Sequence, residues 1–151
     1  MGTTVPAVST REAGEAFIRR QQRRAEDGEG SSSAIVDATT DQALGLLWFG
    51  ARPQPAVVGL GYRVVPGARR RGWARRAVLT ATGWALERGG IARVEAWVEP
   101  DNTPSQRLLT VCGFLREGVL RSSLQVGGRR GDVVVFSRIA ADGSPPHAGD
   151  R

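Results

Sequence analysis

Arg69-Arg70-Arg71-Gly72-Trp73-Ala74 divides two local patterns, and the rest of the chain is arranged around that division. Upstream, Tyr62 to Val65 read as a short strand, β-branched at its end, which Pro66-Gly67 stops. Downstream the period changes. Ala74, Ala77, Val78, Ala81 and Ala85 recur at helical spacing, while Arg75 and Arg76 face elsewhere. Gly89-Gly90 closes that helix near residue 88. The unit is therefore a strand, a basic glycine-containing turn and a helix N-terminus.

Such a unit has a chemistry. The first turn of a helix leaves backbone N–H groups without intrahelical partners and carries partial positive charge. Glycine at 72 and a small residue at 74 let a phosphate approach that backbone, and three arginines add charge-assisted hydrogen bonds. A solvated arginine-rich turn ahead of a helix fits the spacing as well, because the motif is short.

The other elements follow from the same signals. Residues 11–26 have a helix former's composition, with Ala13, Phe17, Ile18 and Gln21 on one weakly apolar face. Residues 27–33 read as a loop, 34–37 as a short strand, 39–41 as a turn and 43–49 as its hairpin partner. After a break at 52–55, residues 57–65 form the next strand. Ala92 to Glu99 alternates, with Val94, Ala96 and Val98 on one face and Glu95, Trp97 and Glu99 on the other. Pro104 suits the first turn of a following helix capped by Thr103, and Gly113 ends it. Residues 119–126 and 132–139 pair across a loop that begins at Gly127-Gly128. Residues 1–139 make one domain, and 140–151 read as a polar, disordered tail.

Composition narrows the function. A chain of 151 residues with 40% hydrophobic residues and mean hydropathy −0.25 is a globular domain without a membrane-length apolar run. The N-terminus lacks a signal peptide's basic start and apolar stretch, which gives a cytoplasmic reading. Cys112 stands alone, so no internal disulfide or cysteine-based metal cluster can form. Its spacing with Ser105, Leu108 and Leu109 puts it in a core, and no histidine is placed to activate it. The one histidine, His147, sits in the tail, so a Ser-His-Asp triad or a histidine-ligated metal has no supplier. The net charge of +6 invites a nucleic-acid reading. Every basic residue is arginine, however, and aromatics are not interleaved with them, so nucleic acid is not the expected partner.

Val64-Val-Pro-Gly-Ala-Arg-Arg-Arg-Gly-Trp-Ala74 resembles the acetyl-CoA pyrophosphate loop of the GNAT superfamily of N-acetyltransferases, Q/R-x-x-G-x-G/A. Residues 93–105, with Pro100-Asp-Asn-Thr-Pro-Ser105, are similar to the RimJ/RimL-type branch. So are Cys112-Gly-Phe-Leu-Arg-Glu-Gly-Val-Leu-Arg121 and the closing hairpin before Asp132-Val-Val-Val-Phe136. The resemblance runs in order from about residue 34 to 139.

It implies an α/β (α+β) GNAT acyl-CoA N-acyltransferase fold: a mixed, mostly antiparallel sheet, a central β-α-β crossover and parallel strands that splay. It implies acetyl transfer from acetyl-CoA to a primary amine, a protein N-terminal α-amine or a small amine, by direct attack in a ternary complex. The implied cofactor contacts are Val64, Val65, Arg69, Arg70, Arg71, Gly72, Trp73, Ala74, Asn102 and Ser105. Within these, the backbone N–H of Val65 would hold the oxyanion, Asn102 the pantetheine, and Ser105 the proton for the leaving sulfur. Ser105 reads equally as a polar first-turn residue of its helix. The tyrosine of many such enzymes has no counterpart, since Leu109 stands at its place. Glu95 is the chosen base, directly or through water, with Glu99 and Asp132 behind it; the related glutamate falls nearer Trp97. A homodimer is also implied. By the same resemblance a first strand and helix would precede residues 11–26. Their absence predicts an open acceptor pocket, a space filled by a partner subunit, or a start further upstream. A CoA-binding module without catalysis is the alternative reading.

Overall fold

The computed structural model describes residues 10–126 and 128–143; His147, Gly127 and the end of the expected tail lie outside the described residues. Helix α1 spans Arg11–Glu26, as its composition predicts. Thr10 caps it, its hydroxyl accepting from the Ala13 N–H at 3.2 Å. None of its residues is buried, and Ile18 is 56% exposed. The weak apolar face rests on the sheet edge mainly through polar contact: Ser32 donates to Gln21 Oε1 at 3.0 Å.

Strand β1 (Gly30–Asp37) starts four residues earlier than its apolar pattern, inside the expected loop. Ser31, Ser32 and Ser33 are strand because they pair antiparallel with Phe49, Trp48 and Leu47 of β2 (Gln42–Ala51). Backbone pairing with an apolar partner overrides the weak strand preference of the serines. β3 (Val57–Val64) runs antiparallel to β2, and α2 (Trp73–Glu87) crosses from it to β4 (Arg93–Val98), which lies parallel to β3. α3 (Thr103–Val111) leads into the long hairpin of β5 (Leu115–Val126) and β6 (Arg129–Ile139). That hairpin is longer than its alternation suggested and carries two register shifts on β5. The strand order is β1-β2-β3-β4-β6-β5. Ala140–Asp142 form a 3-10 turn at the start of the segment read as tail.

One correction concerns α3. Asn102, not Thr103, is its N-cap: Asn102 Oδ1 accepts from the Ser105 N–H at 3.2 Å. Thr103 already belongs to the helix, beside Pro104 at the entry where a missing N–H costs nothing.

The core lies between the sheet and the α2/α3 side. Val78, Val94, Leu109 and Cys112 are fully enclosed, and Phe136 nearly so. Burying a side chain such as Phe136 contributes about 1.5–3 kcal/mol. On α2 Val78 and Ala85 of the stripe read in the sequence are enclosed, Thr82 joins them, and Ala74, Ala77 and Ala81 pack half-buried against the core. Cys112 closes α3, its thiol 3.9 Å from the Arg75 carbonyl oxygen, and burial pushes that thiol up to about 11. A buried thiol held neutral is a poor nucleophile. Native protein at pH 8 should therefore leave an aromatic disulfide reagent unreacted, with labelling appearing only as urea unfolds the chain. Rapid labelling of the folded protein would overturn the core placement of Cys112.

Candidate active site

The parallel pairing of β3 with β4 covers only Val57–Arg93, Val58–Val94 and Gly59–Glu95. From Leu60 to Val64, β3 stays paired with β2 on its other side, while β4 continues alone against β6 as far as Val98. The two strands part at Gly59 and Glu95, and backbone groups of β3 are left facing the gap. The splay expected from the resemblance is present.

The structure decides which backbone groups face it. The Val65 N–H donates to the Leu44 carbonyl at 2.8 Å, toward β2. It is not available to an oxyanion, which corrects the role assigned to Val65. Along a strand the direction of successive amides alternates. The amides of Tyr62 and Val64 consequently turn toward the gap. The Val64 carbonyl accepts from Arg69 Nε at 3.2 Å, which ties the arginine turn to the mouth of the splay.

Below the gap lies the loop singled out in the sequence. Pro66–Ala68 make a 3-10 turn anchored by Ala68, 4% exposed. Arg70 (φ 61) and Gly72 (φ 79) both adopt left-handed backbone, which folds the loop back over the start of α2. Gly72 is the N-cap of α2, with no side-chain cap and no acid in the first turn. A Cβ on Gly72 would meet nothing within 4 Å, so the space above the helix start is open to an anion. Arg69, Arg70 and Arg71 are exposed around it. Trp73 and Ala74 are half-buried, and the Arg76 guanidinium lies 4.2 Å from the Trp73 ring centre.

Asn102 and Ser105 stand on the far side of the splay, at the start of α3. The cap uses the Asn102 carbonyl oxygen, which leaves the amide NH2 to donate outward. Ser105 Oγ lies 2.6 Å from the hydroxyl of Tyr62 on β3, a contact the sequence reading missed. Tyr62 shares the strand face of Leu60 and Val64, and that alternation was the available signal. It is the only tyrosine in the chain, and burial raises its pKa while the Ser105 hydroxyl lowers it.

Glu95 stands at the fork but on the opposite strand face from Val94 and Ala96. Arg93 Nε donates to it at 2.9 Å, and Arg52 Nε lies 3.6 Å away. The Arg52 guanidinium also stacks 4.4 Å from the Trp97 ring centre and crosses Gly59, where a Cβ would overlap it. Gly61 likewise leaves room for the Trp48 ring. Arg93 forks onto Glu117, and Ser137 donates to the same carboxylate at 2.7 Å. The other base candidates lie apart: Glu99 is exposed, and Asp132 accepts from the Ser122 N–H at 2.8 Å. A separate groove of about 850 Å³ lies between α2 and the β1–β2 hairpin, lined by Ile35, Leu47, Phe49 and Trp84. Tyr62, Gly72, Glu95 and Ser105 do not line it, whereas Trp73 and Arg76 do, so it adjoins the arginine loop at the start of α2.

Residues 1–115 match the acetyltransferase (GNAT) domain. The chain belongs to the GNAT acetyltransferase family. Over 112 residues it is 32% identical to the uncharacterized N-acetyltransferase p20 of Bacillus licheniformis, covering 74% of this chain and 63% of that protein. Over 99 residues it is 32% identical to the uncharacterized N-acetyltransferase YoaA of Bacillus subtilis, covering 65% of this chain and 56% of that protein. The chain thus spans less than two thirds of the length of these relatives. Among solved structures, Mycobacterium smegmatis RimJ in complex with CoA-disulfide superposes with a TM-score of 0.78 at 23% identity, over 87% of this chain and 63% of that one. The ribosomal-protein-S5-alanine acetyltransferase from Vibrio fischeri gives 0.75 at 22% identity, over 89% and 74%. These two likenesses establish the GNAT fold. No helix among the described residues is long and apolar enough to cross a membrane.

The charge ladder behind the fork gives a pH dependence. Arg93, then Ser137, holds the Glu117 carboxyl down to about 2 from 4.5. A depressed carboxyl contributes stability above its unfolded value, and that contribution is lost as pH falls from 4.5 through about 2. With the side chain 43% exposed, it amounts to no more than about 1 kcal/mol. Urea midpoints measured between pH 5 and pH 2.5 should fall less steeply for Glu117→Gln than for the parent. Equal slopes would remove Glu117 from the acid response.

Proposed function

We propose that this GNAT chain transfers an acetyl group from acetyl-CoA to a primary amine by direct attack in a ternary complex. The observation that carries the reading is the end of β3–β4 pairing at Gly59/Glu95, beside an uncapped, arginine-rich helix start. A phosphate-bearing thioester fits both halves of that arrangement. Its pyrophosphate is held by the amides of residues 72–74 with Arg69, Arg70 and Arg71, and its amide-containing arm pairs with the β3 edge at Tyr62, whose N–H faces the gap. Asn102 donates its remaining NH2 to that arm. Acetyl-CoA supplies an activated acyl group; the protein supplies alignment and charge.

The residues divide the remaining work. The Val64 N–H, rather than that of Val65, faces the place where negative charge develops on the acyl oxygen. Ser105 returns a proton to the departing sulfur. The Glu95 carboxylate is already occupied by Arg93 and Arg52, so the amine's proton leaves through water near it rather than directly onto it. The acceptor is a protein N-terminal α-amine, in keeping with the RimJ likeness, or a small amine. The doubly paired Glu95 also favours a second reading, a CoA-binding module without catalysis, which acetyl transfer to any member of an amine panel would dismiss.

Thermal unfolding with acetyl-CoA, with ATP and ADP as phosphate controls, tests the cofactor. A ligand at a hundred times its dissociation constant stabilises the fold by ~2.7 kcal/mol. We expect a rise with acetyl-CoA that exceeds both controls and disappears in Gly72→Asp, whose carboxylate would fill the anion's approach. Equal rises with all three ligands would reduce the site to a generic phosphate cradle. Turnover separates the roles of Glu95: in Glu95→Gln we expect a loss below about tenfold, against the 10²–10⁴-fold typical of a general base. A loss beyond a hundredfold, with folding intact, would make Glu95 the base.

A further inference from the structure

We infer that Tyr62 is a positioning residue that aims the hydroxyl proton of Ser105 into the splay. The inference rests on the reading of Ser105 as proton donor to sulfur and adds a residue from another element to that step. Tyr62 Oη and Ser105 Oγ are 2.6 Å apart and come from β3, one wall of the gap, and from the start of α3, which follows β4. A bond between two hydroxyls uses one proton and leaves the other free. The phenol is the stronger acid of the two, so it is the natural donor. Burial keeps the phenol protonated, raising its pKa from the ordinary tyrosine value, with desolvation outweighing the opposing effect of Ser105. With Tyr62 donating, Ser105 Oγ accepts, and its own O–H is left to point elsewhere.

Two details of α3 leave that proton to the gap. The Ser105 backbone N–H is already held by Asn102 Oδ1, which fixes the first turn. Ser105 lies in the first turn, where the carbonyl four residues earlier belongs to Asp101, ahead of the cap, so the helix offers its hydroxyl no such acceptor. Thr110 of the same helix has one, reaching the Gln106 carbonyl at 3.0 Å. Ser105 bonds across the gap to Tyr62 instead. Cys112, whose charge would act on Tyr62, is a buried thiol held neutral, so it does not compete for the phenol proton.

The carbon–sulfur bond breaks with its electron pair on sulfur, and sulfur takes the Ser105 proton. The Tyr62 proton moves to Ser105 Oγ as that bond breaks, so no free alkoxide forms. The phenolate takes a proton from water, and water receives the one shed by the attacking amine. No oxidant or further co-reactant enters.

The test compares Tyr62→Phe, Ser105→Ala and the double variant with the parent, using an amine that the parent acetylates. We expect Tyr62→Phe to lower kcat about ten- to a hundredfold, with the KM for acetyl-CoA changed by less than about twofold. In the Ser105→Ala background the Tyr62→Phe change should cost nothing further, because the phenol acts only through the serine. Ser105→Thr, which keeps a hydroxyl, should recover part of the turnover. An unchanged kcat in Tyr62→Phe, a loss confined to KM, or full additivity in the double variant would overturn the inference alone. Full turnover in Ser105→Ala, or a parent that acetylates no amine, would overturn it together with the reading beneath it. Should Tyr62→Phe fail to fold, Tyr62→Met, which also lacks the hydroxyl, carries the same comparison.

Discussion

Three residue pairs hold β3 against β4, and then the strands separate. Almost everything of chemical interest in this GNAT chain depends on that short run of parallel pairing. Had it continued to Val64, the backbone of β3 would have been satisfied on both sides and closed to any extended ligand. Had it been absent, α2 would have no crossover to make, and its N-terminus would not sit beneath the gap. A parallel pair needs a crossover, and the helix that provides it also provides the anion site. Fold and cofactor cradle therefore come from one connection.

The two sides of the fork carry opposite electrostatic characters. On the loop side an uncapped helix start and three exposed arginines meet no acid in the first turn of α2. On the far face Arg52, Arg93, Glu95 and Glu117 neutralise one another in a continuous row. The first arrangement is unsatisfied and invites an anion; the second is satisfied within itself. This contrast separates a binding surface from a structural one, although both are rich in arginine.

Local periodicity made α1, α2 and the alternation of β4 legible, and the glycine signals at 72, 89–90 and 113 placed their ends. The sheet's splay and the GNAT fold came through the resemblance carried by the arginine loop and by residues 93–105. What stayed hidden was the product of distant pairing. Ser31–Ser33 became strand only because β2 lies beside them. The Val65 N–H was lost to Leu44, a partner twenty-one positions away in the chain. The Tyr62–Ser105 contact and the approach of Arg52 to Glu95 each join residues separated by 43 positions. A strand's period says which face a side chain takes, not what it meets there. Asn102 was read for a ligand contact, yet its oxygen serves the helix first, since a cap is satisfied within the fold before any ligand arrives.

Gly59 and Gly61 lie on β3 at the very place where it leaves β4, and each is overlain by a neighbour's side chain, Arg52 and Trp48. In a material, a notch concentrates stress at its tip, and a rivet set there stops the tear from running. The Arg52–Glu95 contact, backed by the Trp97 ring, occupies that position in this sheet. It lets the fork stand open for a ligand while the three bonded pairs behind it stay shut. Side-chain-free glycines at the notch are what allow the rivet to lie flat.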